Sequence, residues 1–328
     1  MIKKSSKVLL FLTVFSLICP YAYAEDMYVV PMGRAAGIQV YTDGLLVIGL
    51  SDTDGRCAAK EAGICVNDRI TGINGSAVTT SEDFAKTVNE NPEGLSLEVV
   101  RDNSPLTISV IPAPDKDGVY RLGVWVRDSC AGVGTVTYYD PQSKTYAALG
   151  HAVNDVDTGD ILSLKSGIIL DCSIVSVTKS KRGYPGEINA SFGDMVLGSV
   201  RANTNEGIFG EASEDSFFSG GEAIPVAAKS EVHTGDAYIM SDMLGGRCEN
   251  YSIQIKKITD SADKSLVVEV TDKRLIDNAG GIVQGMSGSP IIQDGKLVGA
   301  VTHVFVNSPN KGYGTLAENM IDVQRKAA

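Results

Sequence analysis

The sequence predicts a mainly β protein: a small N-terminal α+β domain followed by a larger all-β domain built as a pair of barrels. Three observations lead there. The 328 residues include 35 glycines but only eight phenylalanines and one tryptophan, a balance that favours turns and short strands over packed helices. Apolar runs are short, many alternate with polar positions, and glycine, asparagine or aspartate punctuates them. Helical patterns are confined to residues 58–63, 80–89 and 318–324. Hydrophobic residues at 43% and charged residues at 21% describe an ordinary globular chain. A net charge of −11 without a basic run argues against nucleic acid as a partner and leaves no polybasic patch for anionic lipid.

The elements follow in order. Lys3, Lys4 and Lys7 precede an apolar run from Val8 to Cys19, and Ala22-Tyr-Ala24 supplies an A-x-A cleavage site. Residues 1–24 therefore read as a secretory signal or an N-terminal anchor, with an apolar run short for a membrane span. Five cysteines follow Cys19: Cys57, Cys65, Cys130, Cys172 and Cys248. They read as buried thiols or as one Cys57–Cys65 pair, and none has zinc-knuckle spacing. Two apolar runs, Gly37 to Thr42 and Leu45 to Leu50, flank Asp43-Gly44 and read as a hairpin. Ala58 to Gly63 is a short helix with a glycine stop, and Thr80-Ser81 caps a second helix with Asp83 in its first turn. Leu95 to Arg101 and Pro105 to Ile111 alternate as strands.

Between the two helices runs Ala62-Gly-Ile-Cys-Val-Asn-Asp-Arg-Ile-Thr-Gly-Ile-Asn-Gly75. It resembles the signature of PDZ domains, with Asn67 at a glycine position, and the resemblance covers residues 37–112. Such domains bind an extended peptide as an added strand. The resemblance implies a carboxylate loop at Met32 to Gly37 and a peptide-pairing edge at Gly37, Ile38, Gln39 and Val40. Residues 113–117, with Pro114 and a charged run, form the linker. Residues 118–328 form the second domain, with short strands at residues 168–178, 189–200, 223–227, 238–240, 251–258, 266–270 and 296–306.

The chemistry gathers in Gly280-Gly-Ile-Val-Gln-Gly-Met-Ser-Gly-Ser-Pro-Ile-Ile292, a glycine-rich turn between apolar runs. Gly-Met-Ser-Gly-Ser-Pro is similar to the nucleophile turn of chymotrypsin-like serine proteases. That likeness makes Ser287 the nucleophile, puts Ser289 at a glycine position, and gives the N–H groups of Gly285 and Ser287 to the oxyanion. A lipase-type elbow would lead from strand to helix, whereas Pro290-Ile-Ile292 continues as a strand. Of three histidines, His233 lies in a polar loop and His303 within the strand after the turn. His151 follows an apolar strand in a Gly-His-Ala context and is the base. Asp272, at the end of an apolar strand, is the orienting acid. Asp155, Asp157 and Asp160 cluster after His151; a cation site there is the weaker reading, because the calcium-loop pattern is incomplete. No cofactor and no metal is expected.

Val126-Arg-Asp-Ser-Cys-Ala-Gly-Val-Gly-Thr135, Leu149-Gly-His-Ala-Val-Asn-Asp-Val-Asp-Thr-Gly159 and the run from Gly280 to Asn307 together resemble the SpoIVB-type sporulation serine peptidases. The resemblance implies a PDZ domain followed by a chymotrypsin-like double β-barrel, with the triad on His151, Asp272 and Ser287. It implies export into the space between the forespore membranes and self-cleavage, with self-association through the PDZ domain. The expected substrate is a membrane-associated regulator of an intramembrane metalloprotease, whose cleavage triggers processing of a mother-cell sigma factor. The rival reading is a non-catalytic PDZ adaptor with a degenerate protease barrel.

Overall fold

The computed structural model describes residues 27–261 and 264–327. The signal or anchor read at residues 1–24 lies outside them. Strand β1 (Tyr28–Leu50) is followed by helix α1 (Ala58–Glu61), β2 (Arg69–Ile73), β3 (Ser76–Ala77) and helix α2 (Ser81–Glu90). Then come β4 (Leu95–Arg101), β5 (Ser104–Val110), β6 (Ala113–Pro114), β7 (Tyr120–Arg121), β8 (Val124–Asp140) and β9 (Thr145–Ala148). Strands β10 (Leu164–Thr178), β11 (Glu187–Thr204) and β12 (Gly207–Ala212) lead to helix α3 (Asp215–Phe218) and β13 (Ile224–Pro225). The remainder is β14 (Gly235–Ser241), β15 (Glu249–Ile258), β16 (Leu266–Val270), helix α4 (Lys273–Ala279), β17 (Pro290–Gln293), β18 (Lys296–Val304), β19 (Lys311–Leu316) and helix α5 (Ala317–Ala327).

Two barrels result. In the first, β1, β8, β9, β12, β11 and β10 pair in turn, and β10 pairs back onto β1. In the second, β14, β15, β16, β19, β18 and β17 close on themselves. The first barrel is filled by Ile38, Val40, Val136, Tyr146, Ile169 and their neighbours. The second is filled by Ile253, Ile255, Val268, Ile291 and Val301 among others. A third core, with Leu45, Ile70, Phe84, Val88 and Leu97, belongs to the PDZ-like unit. The mainly β fold expected from the sequence, PDZ domain plus β-barrel protease, is the fold observed.

The division of the chain differs from the sequence reading, and β1 is the reason. Gly37 to Val40 do not form a free edge. They pair with Val133 to Cys130 of β8 on one side and with Leu170 to Gly167 of β10 on the other. Both backbone edges are consumed, and Ile38 and Val40 point into the first barrel. The peptide-pairing role assigned to Gly37, Ile38, Gln39 and Val40 is therefore wrong, as is the carboxylate loop at residues 32–37. The runs on either side of Asp43-Gly44 do not pair with each other. Gly44, at φ +89°, turns the strand out of the barrel, and Leu46 to Leu50 then pair with Arg127 to Val124. The PDZ-like unit is thus an insertion between two neighbouring strands of the first barrel. The stretch read as a linker lies inside that unit, where β6 pairs with β7 and Leu122 is buried in its core. Cys57, Cys65, Cys130, Cys172 and Cys248 are all unpaired thiols.

Candidate active site

Ser287 sits in the turn between α4 and β17, and two features of the sequence shape that turn. Gly285 and Gly288 adopt φ +97° and +99°, a region that L side chains rarely enter. Met286 between them is fully buried in the second core and anchors the turn from below. The turn is tied to both barrels. The N–H of Thr135 on β8 donates to the Ser287 carbonyl at 2.9 Å, and the Thr135 hydroxyl donates to the Gly285 carbonyl at 2.8 Å. From the second barrel, the Val301 carbonyl accepts from the Gly288 N–H at 2.7 Å. The N–H groups of Gly285 and Ser287, the expected oxyanion donors, have no acceptor among the described residues.

His151 is placed by the same strand. The Thr135 carbonyl accepts from the Leu149 N–H at 3.2 Å, so one residue of β8 holds the nucleophile turn by its N–H and the histidine loop by its carbonyl. Gly150 lets that loop lie on the second barrel: a methyl group there would meet Thr302, Thr315 and Ala300 at 3.1 to 3.3 Å. His151 and Ser287 open into one cavity of about 200 Å³ at the junction of the barrels, walled by Ile38 and by Cys130 to Val133. The His151 Nδ1 lies 2.7 Å from the Ala152 carbonyl. An imidazole that donates through Nδ1 carries its free lone pair on Nε2, the tautomer that a general base needs. Burial pushes the His151 pKa below the ordinary histidine value, while the Ala152 carbonyl acts the other way. The net effect of burial favours the neutral imidazole. Ser287 Oγ donates to the Thr302 carbonyl at 2.6 Å.

Asp272 is not part of this group. Its N–H and carboxylate engage Ser252 on β15, while β19 and β18 lie on the opposite side of β16. Its carboxylate oxygens accept from the Arg274 N–H at 2.9 Å and from the Arg274 guanidinium at 3.0 Å. Arg274 thereby holds the carboxyl below the usual carboxylate range. Among the described residues no carboxylate bonds to His151. The orienting-acid role assigned to Asp272 is corrected: of the three expected triad residues, the structure brings only His151 and Ser287 to one cavity. Asp155 and Asp157 are likewise engaged elsewhere, at 3.1 and 2.5 Å from Arg127. His233 lies apart, paired with Asp294 at 2.8 Å.

The sequence reading missed Thr135 and Thr302, and it placed His303 in a strand without seeing its neighbour. The His303 ring packs on His151 with centroids 4.6 Å apart. The Val301-Thr-His-Val304 string was visible, but not the face it presents. The groove of the PDZ-like unit was also misplaced. It measures about 310 Å³ and runs between α2 and the start of β8, lined by Phe84, Val88, Leu122, Val124 and Trp125. Its strand is the N-terminal part of β8, whose pairing edge away from β1 faces α2.

Two six-stranded barrels with a serine turn and a histidine loop meeting at their junction define a serine peptidase of chymotrypsin-like architecture. The family model described as SpoIVB peptidase S55 matches residues 118–321, and the chain belongs to that family. The matched segment begins after β1, so the first barrel takes a strand from outside it. A solved structure, the PDZ domain of an SdrC-like protein from Listeria monocytogenes, is 19% identical, with a TM-score of 0.23. That match covers 26% of this chain and 90% of that one. No curated protein matches the chain.

Proposed function

We propose that this sporulation serine peptidase is an endopeptidase in which Ser287 and His151 carry the chemistry. The single observation behind this is their shared cavity, with two unengaged N–H groups beside the serine. Ser287 Oγ leaves the Thr302 carbonyl and gives its proton to His151 Nε2 as it attacks the substrate carbonyl carbon. The new oxyanion lies against the N–H groups of Gly285 and Ser287. His151 returns the proton to the departing amine, leaving an acyl group on Ser287 that water, deprotonated by His151, removes.

The finer reading follows the family. The substrate is a membrane-associated regulator of an intramembrane metalloprotease, the chain also cleaves itself near its N-terminus, and it works after export between the forespore membranes. In this reading the groove between α2 and β8 binds an extended peptide, from the substrate or a second copy. Labelling with a fluorophosphonate probe tests the chemistry. The wild type should be modified on Ser287, and Ser287→Ala and His151→Ala should not react. Labelling that survives in Ser287→Ala and disappears in Ser289→Ala overturns the assignment. In a spore former lacking its own copy, restored sigma-factor processing that depends on Ser287 supports the finer reading; unrestored processing by a labelling-competent chain overturns it.

A further inference from the structure

The position of Asp272 leaves an acidic residue near the nucleophile in sequence, without contact to the base. Its surroundings say what it does. Asp272 is the N-cap of α4, in extended backbone conformation, with its side chain accepting from the Arg274 N–H. A second carboxylate bond takes the Ser252 N–H at 3.3 Å, tying the cap to β15. Only about a tenth of the side chain is exposed. Helix α4 leads directly into the nucleophile turn. Gly280, at φ +79°, ends it, and the Gly280 N–H returns to the Ile276 carbonyl at 2.9 Å. Leu275 and Ala279 of α4 are buried in the same core as Ile282, Val283 and Met286. The cap, the helix and the floor beneath Ser287 form one packed unit.

We infer that Asp272 is a positioning residue: it caps α4 and so fixes the turn that presents Ser287, while the peptide carbonyl of Ala152 orients His151. The inference rests on Ser287 and His151 being the reacting pair. It separates two roles that a carboxylate can hold. A carboxylate that orients the base is not replaced by its amide; that exchange in a serine protease triad costs roughly ten-thousandfold in rate through the wrong histidine tautomer. An N-cap accepts asparagine or serine in place of aspartate and suffers from alanine.

The experiment uses the full chain and its Asp272→Asn, Asp272→Ser and Asp272→Ala variants. Each is measured for the fluorophosphonate labelling rate across pH and for thermal midpoint. The expected result is that Asn and Ser label within about fivefold of wild type, with the acid limb of the pH profile unmoved. Ala should melt about 1–3 °C lower and label more slowly than either, so that the two capping side chains rescue it. Loss of a thousandfold or more in both Asn and Ser, at unchanged melting temperature and with a displaced acid limb, overturns the inference. Failure of the underlying reading looks different: a wild type that does not label, or a Ser287→Ala variant that still does.

Discussion

The insertion of the PDZ-like unit between β1 and β8 makes two superficially similar deletions behave in opposite ways. Removing residues 37–112, the unit's span as read from the sequence, takes out the part of β1 held between β8 and β10. Ile38 and Val40, 4% and 0% exposed, leave the first core. At about 1.5–3 kcal/mol for each buried aliphatic side chain, these two alone cost about 3–6 kcal/mol. Typical domain stability is about 5–15 kcal/mol. The same deletion opens the ladder on β8 and on β10, exposing two strand edges at once. Residues 43–126 are a different matter. Tyr41 and Ser129 are direct antiparallel partners, so the ends of the insertion stand side by side. With Thr42 opposite Asp128, an Asn-Gly link from Thr42 to Arg127 leaves a three-residue loop, Asn-Gly-Arg127, beyond the Tyr41–Ser129 pair, a common hairpin length. It also leaves Arg127 against Asp155 and Asp157. The expected outcome is that the second variant shows a cooperative melt by circular dichroism and labels at Ser287, while the first does neither. If the 37–112 deletion folds and labels while the 43–126 replacement does not, the placement of β1 in the first barrel is wrong.

Three further outcomes follow. His151 must be neutral to accept the Ser287 proton, and burial lowers its pKa below the ordinary value of 6.5; the labelling rate should therefore hold to lower pH and fall with a midpoint under 6.5, and a midpoint at or above that value contradicts the buried base. In Gly288→Ala the added methyl lies 2.0 Å from the Thr135 carbonyl oxygen at a backbone φ of +99°; labelling should vanish with a stability loss of at least about 1–3 kcal/mol, measured by denaturant titration, and a wild-type labelling rate would refute the packing of the turn on β8. Trp125, the chain's only tryptophan, lines the groove with 62% of its surface exposed; its emission should respond to a short peptide ending in a free-carboxylate valine and not to the amidated peptide, whereas equal responses would argue against carboxylate recognition there.

What the sequence discloses and what it conceals divide along a physical line. The nucleophile turn is legible because its glycines and serine must be adjacent in the chain for the backbone to take positive φ and expose a hydroxyl. Helix α2 is legible for the same reason: Thr80, accepting from the Asp83 N–H, is a local signal. Strand pairing is not local. Asp43-Gly44 announces that the chain turns, but the same dipeptide serves a hairpin or a strand leaving one sheet for another. Only partners at Val133 and Leu170 decide between them. Asp272 shows a second kind of ambiguity. A carboxylate looks the same whether it caps a helix or steadies an imidazole. The capping reading was nonetheless available, since Asp272 precedes an uninterrupted seven-residue helix that Gly280 ends. Leu122-Gly-Val124 likewise marks a turn entering a strand, but residues 118–127 were read as the start of the larger domain. The family model begins at that same residue, 118, yet in the structure β8 serves both units. Its residues 124–126 line the groove and residues 130–133 wall the cavity that His151 and Ser287 share. Arg127 between them holds Asp155 and Asp157 in the loop after His151, and Asp128 binds the N-terminus of α2 through Ser81. A boundary drawn along the chain assumes that each element belongs to one unit. Here one unbroken strand is the shared wall of two, so the groove and the active site are joined by covalent backbone rather than by a linker.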